Sequence, residues 1–244
     1  MEQFSHKHFA TTHWSLVLEA GHRSAPEADA ALETLCRAYW FPLYAFARRR
    51  GYSQDDAEDL TQEFFSQLIA KSFLASADPE RGRFRTFLLT IFQRFLATEF
   101  DRSHAIKRGG RLTRLSIDFE DGEMRYVGSL TDEQTPERIF ERQWAMTLLQ
   151  RVVDQLRTEY VSRGKVELFE QCRTFLVGSG AAIGSAETAR ILNMTEGALR
   201  VAIHRLRERY RELLRIEVAG TIVDETTIDD ELLQLRRAIQ GEIR

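Results

Sequence analysis

The sequence predicts an all-α protein: two helical domains joined by an acidic linker, the second domain carrying a helix-turn-helix. Apolar residues recur at three- and four-residue spacing through most of the chain, which is the helical period. Segment starts are marked by cap residues and first-turn prolines, and segment ends by glycines just past the last periodic residue. Charge is blocked along the chain. Residues 81–111 hold eight bases against two acids (net +6), 116–141 eight acids against two bases (net −6), and 185–215 seven arginines against four glutamates (net +3). A chain of 244 residues is long enough for a core in each of two domains. The expected boundaries are 1–111, an acidic linker 112–134, 135–217, and an acidic tail with a C-terminal helix at 218–244.

The first element is a short apolar segment around Trp14, Leu16, Val17 and Leu18. Ser24-Ala25-Pro26 then starts a helix, because the missing N–H of Pro26 costs nothing in a first turn. That helix is expected to end at Gly51, and Pro42 in its interior predicts a kink, or a break near Trp40. Ser53 begins the next helix, with Asp55 and Asp56 placed where the helix dipole favours negative charge. Its run QDDAEDLTQEFFSQLIA holds five acids and no base; Leu60, Phe64 and Leu68 face inward, and Asp56, Asp59, Gln62 and Glu63 outward. Residues 76–82 form a loop on their turn chemistry. An amphipathic helix follows, whose stripe from Phe84 through Phe92 to Phe100 is core rather than a stacking platform, while Arg85, Gln93, Arg94 and Arg102 lie on its other surface.

From Leu112 to Gln134 the periodicity weakens. Alternation at Leu115, Ile117 and Phe119 before Asp121-Gly122 is compatible with a small hairpin, and the charge equally with an extended linker, which is the reading adopted. Thr135-Pro136-Glu137 starts a helix running to Arg163-Gly164, and another is expected from Val166 to Leu176. The glycine cluster 178–184 lacks a preceding strand and a Lys-Ser/Thr pair, so it is not a phosphate-binding loop.

The stretch SAETARILNMTEGALRVAIHRLRERYR, residues 185–211, reads as two helices joined by a tight turn at Asn193 and Met194. Thr195 is the N-cap of the second. Leu199, Ile203, Leu206 and Tyr210 make one apolar stripe, and the remaining faces carry Arg200, His204, Arg205, Arg207, Arg209 and Arg211. A short buried helix before an arginine-rich amphipathic one is the layout that places a helix in a DNA major groove. The alternative is a charged surface hairpin. Residues 217–231 then hold six acids and no base, and a final helix with Leu232, Leu235 and Ile239 is expected to fold back on the second domain.

Several classes are disfavoured. Cys36 and Cys172 have no paired spacing, so neither a zinc site nor a disulfide framework is indicated, and both read as buried small hydrophobes in a reducing compartment. No apolar run reaches the length of a membrane span and the first residues lack the apolar core of a signal peptide, which makes the expected location cytoplasmic. The histidines are scattered, no catalytic constellation is present, and no catalytic residue, metal or cofactor is expected. A stand-alone helix-turn-helix regulator binding operator DNA is the alternative that needs no further partner.

Taken together, Asp59-Leu60-Thr61-Gln62-Glu63-Phe64-Phe65, Phe84-Arg85-Thr86-Phe87-Leu88-Leu89-Thr90-Ile91 and Thr195-Glu196-Gly197-Ala198-Leu199-Arg200 resemble, in order and spacing, segments of the extracytoplasmic-function (ECF) sigma factors. These are promoter-recognition subunits of bacterial RNA polymerase within the sigma-70 superfamily. The resemblance covers about residues 25–217 and implies core RNA polymerase and promoter DNA as partners. It also admits an anti-sigma factor or other regulator. By that resemblance Asp56, Asp59, Gln62 and Glu63 bind polymerase, and Arg81, Arg83, Arg85, Gln93 and Arg94 serve the melted −10 element. Thr195, Glu196, Arg200, Val201, His204 and Arg205 serve the −35 element. Val201 stands where a small polar residue is common in the family, and its methyls can make only apolar contacts, for instance to thymine. The linker, which overlaps the net −6 block at 116–141, is suited to imitate a nucleic-acid strand inside polymerase.

Overall fold

The computed structural model describes residue 17, residues 26–70, 74, 77–103, 119–128, 134–176, 185–222 and 224–240. Among these no residue is in a strand, and the all-α expectation holds. Two compact units are present, residues 1–147 with 218–244, and residues 148–217. Trp14 and the glycine cluster 178–184 lie outside the described residues, and of the first apolar segment only Val17, helical and buried, is described.

In the first unit, α1 (Pro26–Arg49) is continuous through Pro42, so the expected break near Trp40 does not occur. Burial on both sides of the proline explains this. Phe41, Leu43, Tyr44 and Phe46 are all at most 2 % exposed, and their transfer from water, roughly 1.5–3 kcal/mol for each large apolar side chain, outweighs an interior proline penalty of about 3 kcal/mol. The helix ends as expected at Gly51, whose φ of 95° is open to glycine at no steric cost. The Gly51 N–H donates to the Arg48 carbonyl at 3.0 Å and the Tyr52 N–H to that of Ala47 at 3.3 Å, a Schellman closure.

Helix α2 (Gln54–Ala70) starts on the Ser53 hydroxyl, which accepts from the Asp56 N–H at 3.1 Å. A 3₁₀ turn at Pro79–Arg81 then leads into α3 (Phe84–Ser103). Phe84, Leu88, Phe92 and Leu96, at i, i+4, i+8 and i+12, are all buried. Phe92 meets Phe64 of α2 edge-on at 4.9 Å and Phe46 of α1 at 6.0 Å, so these aromatics form the core of the unit.

Residues 119–128, expected as hairpin or extended linker, form α4 (Phe119–Gly128). The reason is tertiary. Gly122 allows close approach to the Trp40 ring, Tyr126 is buried, the Arg125 guanidinium stacks over Phe41 at 4.0 Å, and Glu123 is held by α1. Arg48 grips Glu123 bidentately, with Nε to Oε2 at 3.0 Å and Nη2 to Oε1 at 2.7 Å, and the Tyr44 hydroxyl donates to the same carboxylate.

Helix α5 (Pro136–Ser162) begins on Thr135, whose hydroxyl accepts from the Arg138 N–H at 3.3 Å. In the second unit its C-terminal part is accompanied by α6 (Val166–Cys172), which passes into a 3₁₀ turn at Arg173–Phe175, and by α7 (Ser185–Ile191) and α8 (Glu196–Ala219). Phe169 and Cys172 of α6 and Leu199, Ile203 and Leu206 of α8 are buried, and Tyr160 of α5 meets Phe169 at 5.9 Å.

The last helix, α9 (Ile228–Gln240), starts four residues earlier than the apolar pattern suggested and draws Asp229, Asp230 and Glu231 into its first turn. It belongs to the first unit rather than folding back on the second domain as expected. Buried cations decide the choice, since Glu231 pairs with Arg83 and Arg85 while Leu235 and Ala238 are buried. Both cysteines are buried and free, and burial followed by the nearby Glu33 carboxylate pushes the Cys36 thiol up to about 12, leaving it inert.

Candidate polymerase and nucleic-acid interfaces

The acidic face of α2 follows from its register. Ala57, Thr61, Phe64, Phe65 and Leu68 are buried, which turns Asp55, Asp56 and Asp59 to solvent and leaves Gln62 and Glu63 half-buried. Asp56, Asp59 and Glu63 sit at i, i+3 and i+7, neighbours along one side of the helix. Their contacts in the structure are local. Ser53 Oγ donates to Asp56 at 2.7 Å and Gln67 to Glu63 at 2.8 Å. No base occurs in the helix, so the field of this face is uniformly negative and suits a basic partner.

The five residues expected at the −10 element are dispersed. Arg81 lies in the 3₁₀ turn. Arg83, about a third exposed, pairs through Nε with Glu231 at 2.7 Å and donates from Nη1 to Gln234. Arg85 is only 3 % exposed. Its Nε meets Glu141 at 2.9 Å, its Nη1 pairs with Glu231, and its guanidinium lies 4.0 Å from the Trp144 ring centre. Burial alone would drive a proton off Arg85; Glu141 and then Glu231 more than reverse this, and its pKa is raised. Arg83 goes the other way, lowered by burial and by the adjacent Arg85. In this conformation Arg85 is therefore a core cation and not a surface group, a correction to its expected placement. Gln93 donates to Glu137 at 3.1 Å, and Arg94 is exposed.

The α7–α8 turn is built by backbone chemistry that the sequence announces. Asn193 takes a positive φ of 52°, and the N–H groups of Asn193 and Met194 donate to Arg190 and Ala189 at 3.1 and 2.8 Å, closing α7. The Thr195 hydroxyl then accepts from the Ala198 N–H at 3.2 Å, starting α8. Burying Leu199, Ile203 and Leu206 turns Glu196, Arg200, Val201, His204 and Arg205 outward together. Arg200 reaches Glu196 at 3.5 Å and His204 reaches Glu208 at 3.2 Å, both pairs more than half exposed and therefore weak. Val201 and Arg205 line a cleft of about 570 Å³ with Arg163, Lys165, Met194 and Arg209. Arg209 is fixed there by Glu159 through bonds of 2.9 and 2.6 Å, while Arg207 donates to the Phe175 carbonyl at 2.9 Å. Among the arginines of α8, Arg207 and Arg209 are thus structural clamps, whereas Arg200 and Arg205 are displayed beside the turn and Arg211 and Arg215 are exposed farther along the helix. Among the described residues no group of three or more His, Cys, Asp or Glu is placed to hold a metal ion, and no helix is long and apolar enough to cross a membrane.

The sequence reading missed Glu123, Glu141 and Glu231, the acids that occupy the basic residues of the first unit. Nothing local marks them, because their partners lie 75, 56 and 146 positions away. Residues 35–104 of the chain match the family Sigma-70 region 2, a span that includes α2, Arg83 and Arg85. No curated protein and no solved structure matches the chain. The match spans 70 of the 244 residues and is a likeness to a segment of sigma-70-family transcription-initiation factors, which act in promoter recognition. Sigma-70-family factors work with core RNA polymerase and promoter DNA.

Proposed function

We propose that this protein is an alternative sigma factor of the ECF type, working in the cytoplasm. It docks on core RNA polymerase through Asp56, Asp59, Gln62 and Glu63, and reads promoter DNA with residues of both units. The single observation that carries the reading is the agreement of the region 2 match over 35–104 with an unbroken acidic face on α2 inside it. The exposed set on α8 supports the second half of the reading. Arg200 and Arg205 project from a helix whose start is fixed by Thr195 and whose neighbours are clamped, so the two guanidinium groups are presented on a rigid element. Phosphate contacts from such groups set register, and base-edge contacts specify sequence. Opening of the −10 element proceeds by drawing a base out of the stack, at a cost of a few kcal/mol.

The test is run-off transcription with purified core polymerase on genomic fragments upstream of the protein's own operon. Defined transcripts that require the protein are expected. Failure to associate with core, or to start RNA chains at any defined position, overturns the proposal. A tight complex between the protein alone and a palindromic duplex would point to the operator-binding alternative.

A further inference from the structure

We propose that α9 is an internal stand-in for nucleic acid: its Glu231 carboxylate occupies the Arg83–Arg85 pair and masks it from DNA until the helix is displaced. This rests on the reading of Arg83 and Arg85 as nucleic-acid-facing groups.

The charges explain why. Arg83 and Arg85 contribute +2, and Glu141 and Glu231 contribute −2, so the cluster is balanced only while α9 is in place. Without α9 it carries net +1, with Arg83 uncovered and Arg85 freed at Nη1 while Glu141 and the Trp144 ring still hold it, which is a site for a phosphate. The cover is an ion pair taken out of water. Glu231 is 1 % exposed, with one oxygen ion-paired to Arg83 at 2.7 Å and the other to Arg85. A buried ion pair recovers little more than its desolvation cost. A backbone phosphate, with the same charge shared over two unesterified oxygens, can therefore replace the carboxylate at little net penalty. Packing agrees, since a cleft of about 500 Å³ lined by Pro79, Glu80, Arg83, Thr227 and Leu233 lies beside the contact. Arg83 and Arg85 fall inside the region 2 match, whereas Glu231 lies outside it, so the masking carboxylate is not a component of the matched segment.

The experiment uses the full chain without polymerase and a fluorescent 20-nucleotide single-stranded DNA, with anisotropy read across a salt series. Glu231→Gln should bind about tenfold more tightly than the unaltered protein. Its plot of log affinity against log salt should be steeper by about 0.7, the value for one added phosphate contact. Glu33→Gln removes the same charge from an exposed pair on α1 and should change affinity less than about twofold. Equal binding by the Glu231 and Glu33 variants overturns the proposal. If Glu231→Gln does not fold, hydrogen exchange on the unaltered protein decides: amides of 228–240 should lose protection when the oligonucleotide saturates, and retained protection overturns the mask. Since polymerase is absent from these measurements, they can fail while run-off transcription succeeds, and the reverse.

Discussion

Gly122 sits inside α4, where glycine ordinarily weakens a helix by roughly 0.5–1 kcal/mol relative to alanine. Its role is proximity. A Cβ built there would lie 2.8 Å from two ring atoms of Trp40, and that ring already packs edge-on against Phe41 at 5.5 Å. Gly122→Ala should therefore destabilise the first unit by about 1–3 kcal/mol through overpacking, although helix propensity alone predicts a gain. Urea denaturation checks the sign. A midpoint raised by the alanine would mean that the ring yields without cost and that the tight contact is not what places α4.

At the scale of elements, α4 is fastened to α1 by one carboxylate. Burial works to raise the Glu123 pKa, but the hydrogen bonds from Arg48 and then Tyr44 outweigh it and hold the carboxyl below the usual carboxylate range. A group whose folded pKa is depressed contributes stability that is complete above its unfolded value, near about 4.3, and that is lost as pH falls through the folded value. Glu123→Gln should then lower stability at about pH 7 by about 1–3 kcal/mol and flatten the acid limb of the stability curve. Denaturant midpoints measured from neutral pH to about pH 3 on both proteins test this, and parallel acid limbs would remove Glu123 from the account. The same contact marks where sequence reasoning stopped. The caps at Ser53, Thr135 and Thr195, the glycine stop at 51 and the core stripe of α3 were legible because each is decided within a few residues. The helix at 119–128 was not, since Asp121-Gly122 carries turn chemistry and only Trp40 and Arg48, about 80 positions earlier, overrule it. The acidic face of α2 was legible as a pattern, and its interior half is where the structure says most about it. Arg85 looked like a surface base for the same reason that α4 looked like a linker, because its acids are distant in sequence.

At the scale of the molecule, part of the blocked charge of the sequence is compensated within the first unit, among the described residues. Arg48 is taken by Glu123, and Arg83 and Arg85 by Glu141 and Glu231. In the second unit Arg200 and Arg205 are displayed at the surface, Arg200 being held only by an exposed contact to Glu196. The two units should accordingly fail in different ways when altered. Asp59→Lys reverses one charge on an exposed acidic face and should lower affinity for core polymerase while leaving the second unit's fold untouched. Arg200→Ala and Arg205→Ala should leave polymerase binding alone and each weaken initiation at a −35-dependent template by about 1–3 kcal/mol if the side chain meets a base edge. A loss that is uniform across template sequences, with a shallower salt dependence, would instead assign that arginine to phosphate. Co-purification with core read beside transcription on matched and scrambled −35 templates separates these outcomes. If Asp59→Lys leaves co-purification unchanged, the α2 face is not the docking surface; if both arginine variants transcribe normally from the −35-dependent template, α8 does not read it.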